Sequence, residues 1–469
     1  MLFSDMPFLL FFLPVFLLAT YAFRRNLAVR NVLLLIFSLF FYAWGDPLYL
    51  LLLLLSIVCN WVFALSLGAT NGGYRKTVFI VSLLFNIGML GVYKYAGFFV
   101  ENVNAIFGTA IPDPGLTLPI GISFYTFQIL SYVIDVYRRE VPPQKNMVYL
   151  GAYLAAFPQL IAGPVVRYQT VMEELQERSV SMEDLADGFR RFMLGLGKKV
   201  IISNNVAYIV DTLIDGNFAM TDLGAAGAWL TVVAYTLQIY YDFSGYSDMA
   251  IGLGRMIGFH YLENFNHPYI AVGATDFWRR WHISLSTFFR DYIYIPMGGN
   301  RVSIPRWILN VMVVWMLTGL WHGASWNFVI WGLYFGVLLV LEKYPLRKLK
   351  DIPVLNHIYG LLVIMFGWAL FRCDDFGKLG SLLSGMLGLN GGGSSTMLYN
   401  SGVIQPIYLT ALLLGILGCI PLVYQTIPNK LRKTNAGAVV LDIGYIVVLI
   451  ISLLMLSEGS YNPFIYFRF

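Results

Sequence analysis

The sequence predicts an all-α polytopic membrane protein, and three observations carry that prediction. Of 469 residues, 58% are hydrophobic and 12% charged, where a soluble domain carries about 25% charged residues. The apolar residues fall in blocks long enough to cross a bilayer as helix, which takes about 20 residues. The blocks are continuous rather than alternating, which argues against a transmembrane barrel. By length they amount to roughly eleven or twelve spans, together with re-entrant and interfacial segments.

The elements follow in order. Phe8 to Phe23 is the first apolar run, followed by Arg24, Arg25 and Arg30. No basic region precedes it and no small-residue cleavage site follows, so it reads as a retained helix and not a signal peptide. Asn31 to Trp44 is the second run and ends at Gly45-Asp46-Pro47. Leu48 to Leu67 is the third, with Arg75 and Lys76 after it, and Val78 to Val100 is the fourth. Basic residues mark every second loop, so the positive-inside rule puts those loops in the cytoplasm and the Gly45-Asp46-Pro47 turn outside. The net charge of +5 fits this loop bias and not nucleic-acid binding.

A span near 118 to 137 returns to Arg138, Arg139 and Lys145 inside. Met147 to Ala162 contains Pro158 and precedes Gly163-Pro164. These residues break a spanning helix, and the stretch reads as a broken or re-entrant element packed against protein. Residues 165 to 199 are more charged and belong at the cytoplasmic surface. Runs near 200 to 215 and 225 to 241 follow. Lys343, Arg347, Lys348 and Lys350 mark one inside loop, and Lys430, Arg432 and Lys433 another. Between them, the Gly391-Gly392-Gly393-Ser394-Ser395 segment reads as a flexible outside loop. The last span is about 438 to 456.

Three constellations carry chemistry. The first is Thr318-Gly319-Leu320-Trp321-His322-Gly323-Ala324-Ser325-Trp326-Asn327. An ionisable group at membrane depth is costly and is kept for function, and histidine exchanges its proton near neutral pH. His322 therefore points to proton transfer, metal binding or ion conduction. It falls at the turn between Trp307 to Leu320 and Trp326 to Leu341, toward the outer half. The plain alternative is a histidine hydrogen-bonded at a helix end.

The second runs from Asp276 through Phe277-Trp278-Arg279-Arg280-Trp281-His282 to Arg290-Asp291 and Arg301, with Arg306 beyond. Its charge places it inside. Arginine forks suit phosphate groups, and the interleaved Trp and Phe suit stacking or the interface. A topology-holding interfacial segment explains the same pattern. The third, Gln238 to Asp248, puts Asp242, Ser244, Tyr246 and Asp248 into an apolar stretch. They read either as hydrogen-bonding partners that shape a polar interior or as a cation site.

Other patterns fail. Gly195-Leu196-Gly197-Lys198-Lys199 lacks the spacing and hydroxyl of a phosphate-binding loop. Gly252, Gly254 and Gly258 follow no strand. No His-Glu-x-x-His is present, and Cys59, Cys373 and Cys419 have no metal or redox spacing. No metal and no bound cofactor are expected.

The motifs together resemble the membrane-bound O-acyltransferases, in the branch of the alginate O-acetyltransferase membrane subunit. The matching stretches are Leu118 to Gln128, Phe157 to Pro164, Tyr241 to Asp248, Asn264 to Tyr269, Phe277 to Ser284, Thr318 to Gly323 and the tail Tyr461 to Phe469. The resemblance implies one membrane domain over residues 1–469, with helices around a central tunnel. Within it, 1–137 are N-terminal helices, 138–345 the catalytic core and 346–469 C-terminal helices.

The resemblance further implies that His322 is catalytic and His282 a second functional histidine. The co-substrate is an acyl thioester, acetyl-CoA or an acyl carrier protein, reached from the cytoplasm beside Arg279, Arg280, Arg290 and Trp278. The acceptor hydroxyl lies on the other side, and Asp242, Ser244, Tyr246, Asp248 and Asn327 line the polar core. Read from the residues and not from the resemblance, Asn327 or a backbone donor is the candidate for steadying the oxyanion. A separate extracytoplasmic acetyltransferase passes the group to an alginate-like exopolysaccharide, peptidoglycan or cellulose. The implied setting is the lipid of a bacterial cytoplasmic membrane. Three alternatives stay open: D-alanyl transfer to teichoic acid, a transporter or proton channel using His322 with Asp242 and Asp248, and a lipid or protein acyltransferase taking long chains.

Overall fold

The computed structural model describes residues 1–161, 163–216, 220–390, 395–459 and 461–465. The expected flexible loop at 391–394, Ala162 of the Phe157 to Pro164 motif and the last four residues of the tail lie outside them. Among the described residues every regular element is helical. Among the described residues, seven helices are long and apolar enough to cross a membrane, and a bent pair, Pro406–Gly418 with Leu422–Leu431, makes an eighth if it is one span. That is fewer than the eleven or twelve expected from run lengths. Several runs form shorter helices: the first is Phe8–Ala22, opening with a π turn at Phe8–Phe12, and the span near 118 to 137 forms Ile122–Arg138, of 17 residues.

Contacts group the chain into two units. One comprises Met1–Phe192, Met249–Glu263 and Thr287–Ile293, and the other Met193–Asp248, Asn264–Ser286 and Tyr294–Phe469. The first unit contains helices Leu27–Gly45, Leu50–Ala69 and Gly72–Leu90, the last continuing through a π turn to Phe107. In lipid, polar side chains hold helices together where apolar ones have no reason to. Here Asn60 and Asn86 exchange amide hydrogen bonds, at 3.0 and 2.7 Å, between two neighbouring helices. The Met147 to Ala162 stretch is broken as expected, into Met147–Leu154 and Phe157–Leu160. Phe157 inserts among phenylalanines, with ring centroids 5.0 Å from Phe16 and 5.2 Å from Phe12.

The second unit holds both histidines of interest. Helices Ile304–His322 and Trp326–Lys343 cross where each carries a glycine. A Cβ on Gly319 would sit 2.1 Å from the Phe328 carbonyl oxygen, and one on Gly332 equally close, 2.1 Å, to that of Trp315. Only glycine lets the two backbones meet there, and the crossing fixes where the first helix ends. The apolar run expected over 225 to 241 is part of a longer helix, Ala225–Ile257 of 33 residues. It continues through the polar motif because lysines neutralise its carboxylates. Asn435–Ser457 is buried over only 6% of its apolar window, a surface for lipid.

Candidate active site

His322 is the last residue of helix Ile304–His322, and the chain leaves it through Gly323 in extended conformation. Its imidazole is 7% exposed and surrounded by aromatic rings. The centroids of Trp321, Trp331 and Phe371 lie 4.9, 5.1 and 5.2 Å away, all edge-on. Such walls exclude water and orient a ring that would otherwise rotate.

His282 lies in the turn between the short helices Ala274–Arg280 and Ile283–Phe289. It is 1% exposed, and burial pushes its pKa down to about 3, so the imidazole is neutral at physiological pH. Phe243 packs edge-on against it at 4.6 Å and Trp321 at 5.8 Å. Trp321 thus touches both imidazoles. The structure brings His282 and His322 to one indole although 40 positions separate them in the chain.

Trp278 was expected beside the donor. It is buried and packs edge-on against Trp315 and Phe335, at 4.9 Å each. It belongs to the aromatic wall behind His322 and not to an exposed stacking surface. Arg279, its neighbour, is exposed. Arg280 is bound by Asp276 one helical turn away, at 3.1 Å. Arg290 is in the other unit and pairs with Asp291 at 2.6 Å. Asp291 also holds Arg167, at 2.8 Å. The two acids of this segment therefore occupy two of its five arginines, which leaves Arg279, Arg301 and Arg306 without an ion pair among the described residues.

The polar stretch of helix Ala225–Ile257 is buried, with Asp242, Ser244 and Asp248 1%, 2% and 4% exposed. Lys199 Nζ lies 2.6 Å from Asp242 Oδ1, and Lys198 Nζ 2.6 Å from Asp248 Oδ2. Buried carboxylates survive only when paired, and these adjacent lysines pair them. The C-terminal segment adds to this knot. Ile465 N–H donates to Asp242 Oδ2 at 2.9 Å, the Pro463 carbonyl accepts from Lys199, and the Phe464 ring lies tilted against Tyr246 at 5.2 Å. Both carboxylates are thus committed to lysines, which weakens the reading of a cation or proton path through them. Asn327 donates to the Cys373 carbonyl at 3.4 Å and accepts from Ser325. Its amide is therefore already in use within the fold.

Three kinds of residue escaped the sequence reading. Lys198 and Lys199 were weighed only as a failed phosphate loop. Glu342 was not considered. It is 6% exposed and its carboxylate accepts the N–H groups of Ala274 and Thr275 and the Thr275 hydroxyl, which fastens the start of helix Ala274–Arg280. Asn264 appeared only inside a motif, yet it contacts His282. A lone Glu in the last turn of an apolar helix is the one signal that pointed to Glu342.

Two buried imidazoles that share one indole in an aromatic core suit the transfer of a proton or an acyl group. The comparisons decide which class. Residues 139–371 match the model of MBOAT, the membrane-bound O-acyltransferase family. A probable alginate O-acetylase of Azotobacter vinelandii is 37% identical, covering 100% of both chains. The peptidoglycan O-acetyltransferase of Helicobacter pylori is 33% identical over 100% of this chain and 98% of its own. A teichoic acid D-alanyltransferase of Bacillus subtilis is 30% identical over 56% of this chain. The protein belongs to the membrane-bound O-acyltransferase family and is a multi-pass membrane acyltransferase.

Proposed function

We propose that this chain transfers an acetyl group from a cytoplasmic thioester to a hydroxyl, for O-acetylation of an extracytoplasmic polysaccharide, in the cytoplasmic membrane of a bacterium. One observation carries the reading. A buried imidazole, His322, ends a membrane-spanning helix in a chain whose full-length relatives are named for O-acetylation.

Neutral His322 takes the proton of the acceptor hydroxyl as its oxygen attacks the thioester carbonyl. A C–O bond forms and the carbonyl becomes an oxyanion. Collapse restores the carbonyl and breaks the C–S bond, and the departing sulfur takes the proton from the imidazolium. The products are an ester and a thiol, with His322 neutral again. The aromatic walls keep water from competing for the thioester. Exposed Arg279 is a contact for an anionic donor, with Arg280 secondary because Asp276 already holds it. A separate extracytoplasmic transferase receives the acetyl group.

The test is acetyl transfer by the purified full-length protein in nanodiscs with its acceptor, given acetyl-CoA or an acetylated carrier protein. His322→Ala should lower the rate roughly 100-fold or more with unchanged thermal stability. Near-normal transfer by this variant sinks the assignment of His322. Transfer from a D-alanyl carrier protein but from no acetyl donor would favour the aminoacyl reading, which the shorter match to the Bacillus enzyme supports less.

A further inference from the structure

Asn264 grips the turn that carries His282. Its backbone carbonyl accepts the Ile283 N–H at 3.0 Å. Its side-chain Oδ1 accepts the Ser284 N–H at 3.1 Å and the Ser284 hydroxyl at 2.9 Å, and lies 3.3 Å from His282 Nδ1. Asn264 is fully buried, at 0% exposure. The turn needs a grip. His282 has a φ of +46°, in the left-handed region that a side chain other than glycine's disfavours.

These contacts decide a protonation state. A backbone N–H only donates, so the carboxamide atom facing Ser284 N is oxygen and the amide cannot be flipped. The same oxygen faces His282 Nδ1. An amide oxygen and a bare ring nitrogen would offer each other only lone pairs, so Nδ1 carries the hydrogen. The Ser284 hydroxyl, 3.5 Å from Nδ1, leaves this unchanged because its own proton is directed to Asn264. A neutral imidazole has one N–H, and Nε2 is then a bare acceptor. That Nε2 is buried and has no hydrogen-bond partner among the described residues.

We propose that Asn264 is a positioning residue for acyl transfer. Its carboxamide locks His282 in the Nδ1–H tautomer, so that Nε2 is held out as a fixed acceptor for an O–H or N–H of a substrate. His282 then receives a hydrogen bond, while His322 receives the proton. The proposal rests on the O-acyltransferase reading. It adds a division of labour between the two imidazoles, and it names the residue that enforces it.

The test uses the full-length protein in nanodiscs with 15N-labelled histidine. The chain has 5 histidines, and His282→Gln identifies the signal of interest. The expected spectrum shows a protonated Nδ1 and an unprotonated Nε2 at neutral pH. An Nε2–H tautomer overturns the proposal whatever the variants do. Asn264→Asp keeps an acceptor oxygen and should keep the tautomer. Asn264→Leu should give a mixture and lose roughly 10- to 100-fold in kcat/KM, as removal of a partner that orients a histidine does elsewhere. A rise in KM for the thioester assigns the Nε2 partner to an amide N–H of the donor, and a rise in KM for the acceptor assigns it to a hydroxyl. Activity of Asn264→Leu within twofold of the parent overturns the proposal. The spectrum requires no turnover, so failure of the tautomer and failure of acyl transfer are read separately.

Discussion

The indole of Trp321 packs edge-on against the imidazole of His282, with ring centroids 5.8 Å apart, from a position directly beside His322 in the chain. One ring thereby contacts two histidines, one in a turn and one at a helix end. Because Trp321 is 4% exposed, its removal opens a void between them. Trp321→Ala should cost about 3–5 kcal/mol of stability and abolish acetyl transfer. Trp321→Phe should keep the fold and lose only part of the rate. Thermal denaturation and acetate transfer on the same samples check both. Equal activity in the two variants would show that the indole does not hold the histidines.

Glu342 is a buried carboxylate that accepts hydrogen bonds from the start of another helix. Thr275 N–H reaches it at 2.8 Å, and the Ala274 N–H and the Thr275 hydroxyl also donate to it. Hydrogen bonds to a charged group are worth about 1.5–3 kcal/mol each. Glu342→Gln should lose one of these acceptors and lower the unfolding free energy by about that amount. The helix it frees leads directly to His282, so activity should fall with stability. Unchanged melting of the variant would dismiss the clamp.

The lysine–aspartate pairs make opposite predictions for single and double changes. Lys199→Met leaves Asp242 buried without its cation, at a cost of about 3–5 kcal/mol. Lys199→Met with Asp242→Leu removes both charges and should recover most of that loss. Expression level and thermal midpoint in nanodiscs measure the difference. If the double variant is as unstable as the single, charge pairing is not what holds this stretch together.

Gly319 and Gly332 admit no side chain at the helix crossing that aims His322. Gly319→Ala places a Cβ against the Phe328 carbonyl and forces the helices apart, an overpacking cost of about 1–3 kcal/mol or more. The expected phenotype is a protein that inserts but transfers acetyl poorly. Normal transfer by Gly319→Ala would mean that this crossing does not set the position of His322.

Acid should loosen the segment around Asp291. Burial works against its charge, but hydrogen bonds from Arg290 and Arg167 outweigh burial and hold the carboxyl below the ordinary carboxylate range. A depressed pKa stabilises the fold above the unfolded value and loses that effect as pH falls through the folded one. Protection against hydrogen exchange over Arg290–Tyr294, taken relative to the intrinsic exchange rate at each pH, should therefore fall as the pH drops below the ordinary carboxylate pKa, and Asp291→Asn should remove most of the dependence. Protection that is constant with pH in the parent protein would refute it.

The sequence by itself determined the class of solvent and most of the spans. Long apolar runs leave a chain no option in lipid but to satisfy its backbone within helices, and proline at 158 broke the one run that looked marginal. It also marked His322, because an ionisable residue between apolar runs is rare enough to notice. What the sequence could not supply was partnership. Lys198 and Lys199 looked like a failed loop until the fold set them against Asp248 and Asp242. The sequence offered Arg280 and Arg290 as donor contacts, and the fold pairs them with Asp276 and Asp291.

The division has a physical reason. Helix formation in lipid is decided within each segment, by apolar length and by breakers, so it can be read along the chain. Burial, ion pairing and the tautomer of a histidine depend on which side chains arrive from elsewhere. Asn264 is 18 residues from His282, and nothing in spacing or composition joins them. Tertiary structure alone decided that the second imidazole presents Nε2, and that one indole holds it beside the first.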